Sequence, residues 1–64
     1  MREIETENYG TVTLRSAIFE DEQGNPFDAL EIEGEQVGYI EVEGWYDIDE
    51  LEVEKIEELI ERYE

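Results

Sequence analysis

Among the side chains that ordinarily carry chemistry, this sequence offers almost only carboxylates. Seventeen glutamates and four aspartates stand against Arg2, Arg15, Lys55 and Arg62, with no histidine and no cysteine. The single serine, Ser16, sits inside a segment of strand-like alternation. Without an imidazole or a thiol, neither a Ser-His-Asp nor a Cys-His constellation can be assembled, and the usual structural zinc site is excluded. Paired carboxylates can do glycosidase-type acid and base work, but only in a cleft that raises the pKa of one member. A chain of 64 residues is too small to enclose such a cleft readily. There is no GxGxxG and no P-loop; Gly34, Gly38 and Gly44 are spaced as turn and bulge residues of a hairpin. Asp47, Asp49 and Glu50, or Glu20, Asp21 and Glu22, offer oxygen ligands for hard cations. Neither group keeps the EF-hand spacing, and Asp49 has a capping role, so weak, nonspecific association is expected. The expectation is a protein that catalyses nothing and holds no cofactor or dedicated metal.

What remains is charge. The formal net charge of −17 lies far outside the roughly 2 to 8 suited to a small soluble domain. Direct binding to DNA, RNA or an anionic membrane rests on Lys and Arg neutralising phosphate, and this chain is short of both. An electrostatic partner is therefore basic. An apolar content of 39% with seven aromatic residues marks the chain as folded rather than disordered. It reads as a single small acidic domain over residues 1–64, held by apolar packing without disulfides. MREIETENYG has no apolar run of the kind that opens a signal peptide, and no membrane-length apolar stretch follows, so a cytoplasmic chain is expected.

The elements that must position the carboxylates follow from periodicity. In GTVTLRSAIFE, residues 10–20, Val12, Leu14, Ser16 and Ile18 share one strand face. DEQGNP, residues 21–26, closes a first hairpin. Leu30 and Ile32 alternate with Glu31 and Glu33, and Ile40 and Val42 alternate with Glu41 and Glu43. Placing both apolar pairs on one face requires an odd connection of about three or five residues around Gly34, Glu35 and Gln36, with Glu31 opposite Glu41 or Tyr39. Like charges opposed across a strand pair weaken it. Here they follow from the pairing that buries the apolar side. From Asp49 to Tyr63 the stripe Val53, Ile56, Leu59, Ile60 and Tyr63 predicts a helix. Asp49 would cap it, with Glu52 in a capping box and Ile48 and Val53 as a hydrophobic staple. Glu50, Glu54, Glu57, Glu58 and Glu61 then point outward, with Leu51 among them. The expected architecture is α+β: a small three-stranded antiparallel β-meander followed by one C-terminal α-helix packed on the sheet, β-β-β-α.

Between Asp49 and Glu64 there are eight acidic residues, about one per 3 Å of helix axis. That is comparable with a single DNA strand, at about one per 3.4 Å. The hairpin adds carboxylates about 7 Å apart along each strand. This charge pattern is similar to that of small phage-encoded DNA-mimic inhibitors of restriction, CRISPR or repair enzymes. The resemblance implies a non-catalytic protein that occupies the basic nucleic-acid site of such an enzyme in a host cytoplasm. Glu31, Glu33, Glu41, Glu43, Glu50, Glu54, Glu57, Glu58 and Glu61 would supply the charge. Tyr39, Trp45, Tyr46 and Leu51 are candidate apolar anchors, since Trp and Tyr dominate interface hot spots; Trp45 is assigned first to the core, between sheet and helix. Two other readings stay open. The chain can be an acidic structural or antitoxin-like module that pairs with a basic protein, or with itself as a homodimer through a strand edge. It can also be a domain of unrelated function adapted to high salt, although the excess of Glu over Asp is untypical of that.

Overall fold

The computed structural model describes residues 1–63 and contains four strands and one helix: β1 (Arg2–Thr6), β2 (Gly10–Glu20), β3 (Pro26–Gly34), β4 (Gly38–Glu43) and α1 (Val53–Tyr63). The expected three-stranded meander is therefore corrected to a four-stranded antiparallel sheet in the order β1-β2-β3-β4. The additional strand is REIET. Its inward positions are Arg2, Ile4 and Thr6, facing Leu14, Val12 and Gly10, so only one of three is apolar and the alternation that marks a strand is concealed. Each inward polar group has a partner. Arg2 Nη1 donates to the carbonyl oxygens of Ile48 at 2.6 Å and Leu51 at 2.9 Å. The Thr6 hydroxyl donates to the Gly10 carbonyl at 2.7 Å and accepts from the Tyr9 amide at 3.0 Å, closing the turn into β2.

The other pairings follow the apolar pattern. Leu14 faces Ile32 and Ser16 faces Leu30 across β2 and β3, while Ile32 faces Ile40 and Leu30 faces Val42 across β3 and β4. The β3–β4 connection is the three-residue alternative, Glu35 to Val37, because Gly34 pairs with Gly38. Gly34 is required by close approach: a Cβ there would stand 2.8 Å from the Thr11 carbonyl oxygen. At the β2–β3 tip the Asp21 carboxylate accepts from the amides of Gln23 and Asn25, an arrangement that Asp side chains favour in turns.

One sheet face is covered. Val12, Leu14, Leu30, Ile32, Val37, Ile40 and Val42 pack with Ile56, Leu59 and Ile60 of α1 into a single core, with Ile4, Tyr9, Tyr46, Ile48 and Leu51 partly buried around it. The helix is shorter than its stripe suggests. Asp47 takes the local capping role through its own carboxylate, which accepts from the Asp49 amide, and its carbonyl accepts from Glu50 and Leu51. That makes a separate turn. The first helical bond runs from Ile56 N to the Glu52 carbonyl, so Glu52 rather than Asp49 occupies the N-cap position. Leu51, placed by the wheel among the outward glutamates, belongs to the connector and packs on the core. At the other end Tyr63 is exposed. Glu64 lies outside the described residues. No helix among those described is long and apolar enough to cross a membrane.

Candidate acidic interface

The opposite face of the sheet is covered by no element among the described residues. Register places Glu3 and Glu5 of β1, Thr11, Thr13 and Arg15 of β2, Glu31 and Glu33 of β3, and Tyr39, Glu41 and Glu43 of β4 on it. One row runs Glu3, Thr13, Glu33, Tyr39, and the next sets Arg15, Glu31 and Glu41 side by side. With strands about 4.8 Å apart, the four-strand width of this face is about 14 Å. Six carboxylates and one guanidinium occupy it.

The opposed pair is the register Glu31↔Glu41, with Glu33 facing Tyr39. Two neighbours moderate the repulsion. Arg15 Nη1 lies 3.9 Å from Glu31 Oε2, and the Tyr39 hydroxyl donates to Glu41 Oε1 at 3.2 Å. Desolvation of the ring, hydrogen bonding to Glu41 and Glu31, and the negative charge of both carboxylates push the Tyr39 phenol up to about 12. Tyr39 thus remains a neutral donor at every physiological pH. Glu3, Glu5, Glu33 and Glu43 are exposed, and among the described residues no cation lies within ion-pair distance of them.

The outward helix glutamates form a different surface. Glu54, Glu57, Glu58 and Glu61 lie on α1, on the far side of the core from the sheet's free face. Eleven helical residues make about 16 Å of axis. Four acids on that length give about one per 4 Å, sparser than the sequence pattern implied. Two of the four are engaged. Glu58 pairs with Lys55 at 3.5 Å and with Arg62 at 3.2 Å. Glu57 accepts from the Glu7 amide at 2.8 Å and from Asn8 Nδ2 at 2.6 Å, tying the β1–β2 turn to the helix. Glu50 sits in the Asp47 turn, off the helix. The nine candidate glutamates are therefore not one surface. Glu31, Glu33, Glu41 and Glu43 are brought together, and Glu3 and Glu5 join them unannounced, because their strand was concealed.

The apolar candidates also separate. Tyr39 stands half-exposed within the acidic face. Trp45, assigned first to the core, is 72% exposed. The reason is local: Gly44, at φ +125°, carries the chain off the sheet, and Tyr46 rather than Trp45 packs on the core. No protein-family model matches this chain, and neither a curated protein nor a solved structure is similar to it.

Proposed function

We propose that this protein is a non-catalytic acidic binder that occupies the cationic nucleic-acid groove of a partner protein through the free face of its sheet. The observation that supports this most is the uncovered face itself, where Glu3, Glu5, Glu31, Glu33, Glu41 and Glu43 surround one arginine. A merely soluble domain has no need to oppose Glu31 and Glu41, because that costs stability. A rigid sheet holds the carboxylates in fixed rows, so a basic groove meets a preorganised array. Complementary potentials of this kind steer association and set its salt dependence. The partner's chemistry follows: a protein whose lysines and arginines ordinarily neutralise phosphate, such as a nuclease, CRISPR effector, restriction or repair enzyme.

The test is capture from lysate on immobilised protein at low salt, mass-spectrometric identification, and competition between this chain and the captured protein's own nucleic acid. Competition that weakens steeply with salt is the expected result. Glu33→Lys with Glu41→Lys abolishes it, whereas Glu54→Lys with Glu61→Lys, an equal charge change on the helix, leaves most of it. Nucleic acid that stays bound, or equal losses in the two variants, would refute the reading.

A further inference from the structure

β1 pairs with β2 only from Gly10 to Leu14, and among the described residues nothing pairs with the same edge of β2 from Ser16 to Glu20. The β2–β3 hairpin outruns both flanking strands, which accounts for a molecule 38 Å long and 17 Å thin. Exposed strand edges are usually guarded by charge, proline or a bulge. The outer edge of β1 carries Glu3 and Glu5, that of β4 carries Glu41 and Glu43, and β3 begins at Pro26, with the Asp28 carbonyl accepting from the Gly44 amide at 2.9 Å. Between Arg15 and Glu20, the β2 stretch Ser16, Ala17, Ile18 and Phe19 is uncharged and free of proline. Its antiparallel pairing with β3 leaves every second residue presenting its N–H and C=O outward.

Each side of this edge carries apolar residues: Ile18 on one, Ala17 and Phe19 on the other. On the core side Ile18 is 73% exposed, beyond the reach of α1. It borders a cleft of about 260 Å³ lined also by Ser16, Asp28, Trp45 and Tyr46. On the other side Phe19 and Phe27 lie with ring centroids 6.0 Å apart. Around this stretch stand the exposed carboxylates Glu20, Asp21, Glu22 and Asp28 and one exposed cation, Arg15, whose guanidinium lies 3.9 Å from Glu31.

We infer that the Ser16–Glu20 edge of β2 accepts an extended segment of a partner protein as an added strand, with apolar residues at alternate places and Lys or Arg flanking them. Main-chain hydrogen bonds give such strand addition its affinity, and the alternate side chains give it specificity. One set of side chains stands beside Ile18 at the mouth of the Trp45 cleft, and the other stands against Ala17 and Phe19. The five edge residues accommodate about 17 Å of strand. Charge selects the occupant: a second copy brings another −17, whereas a basic segment is attracted to the rim. The inference does not rest on the nucleic-acid-mimic reading, since the edge operates whether or not the acidic face meets a groove.

The test uses the ¹⁵N-labelled protein and an acetylated, amidated probe peptide, Lys-Lys-Val-Thr-Val-Thr-Val-Lys-Lys, beside the same peptide with Pro for the central Val. Amide exchange is read by NMR. The first peptide is expected to slow the outward amides of Ser16–Glu20 at least about tenfold and to shift Trp45 fluorescence, while the proline peptide does neither. Ile18→Lys, at an exposed site that leaves the fold intact, abolishes the protection; Glu33→Lys with Glu41→Lys retains it. Equal binding of the two peptides, protection elsewhere in the sheet, or protection without peptide accompanied by a doubled mass in light scattering overturns the inference.

Discussion

Replacing Glu41 by Lys removes one carboxylate from the opposed pair Glu31↔Glu41 and puts a cation in its place. Directly opposite side chains lie about 5 Å apart, and like-charged pairs there cost a few tenths to about 1 kcal/mol relative to neutral ones. Coulomb's law agrees, at about 0.8 kcal/mol for unit charges 5 Å apart in water. Inverting the sign turns that cost into a gain, less the hydrogen bond that Tyr39 donates to Glu41. The net expectation is stabilisation of about 0.5–1.5 kcal/mol, and each 1 kcal/mol raises Tm by about 4–8 °C in a domain of this size. The measurement is thermal unfolding by circular dichroism at 20 mM and at 1 M NaCl. The gain should appear at low salt and largely vanish at 1 M, where the Debye length is about 3 Å. A loss of stability at low salt, or a gain indifferent to salt, would refute the reasoning. If the same substitution also weakens capture of the basic partner, Glu41 is a residue at which stability is given up for binding, as functional sites often require.

Three further outcomes follow from other contacts. Arg2→Met should destabilise by about 2 kcal/mol, measured by urea unfolding, because two carbonyl groups lose a charged donor. Tyr39 has a phenol raised above its ordinary value, so its stabilising contribution is present below about pH 10 and is lost as pH rises toward 12; Tyr39→Phe should show a flatter fall in urea midpoint across that window. Trp45→Ala should change stability by less than about 0.5 kcal/mol, as exposed sites do, while Ile56→Ala, fully buried, should cost about 2–5 kcal/mol and come close to unfolding the protein.

The apolar alternation of residues 10–20, 30–33 and 40–43 was legible because burial on one face imposes a period of two; parity left Glu31 opposite either Glu41 or Tyr39, and the three-residue connection sets it opposite Glu41. REIET was not legible, because Arg2 and Thr6 hold inward places by hydrogen bonding rather than by hydrophobicity; Glu3 and Glu5 at a spacing of two were the available signal. The helix start was misplaced because Asp49 and Glu52 match a capping box in sequence, whereas the Asp47 carboxylate and carbonyl hold residues 49–51 in a separate turn and the first helical bond reaches back only to Glu52. Trp45 was misassigned since aromatic content predicts burial, whereas the turn at Gly44 depends on backbone geometry. Ile18 shows the same limit: its place in the alternation is right, but the helix that would cover it ends short of the hairpin.

Strand order repeats chain order throughout the sheet, so each pairing can zip from the hairpin turn before it, with little loop entropy to overcome. The exception is the seam where Arg2 meets Ile48 and Leu51, and Glu7 and Asn8 meet Glu57, across 46 to 50 residues of chain. Assembly should therefore finish there and disassembly begin there, with α1 and its connector letting go of β1 while the hairpins persist.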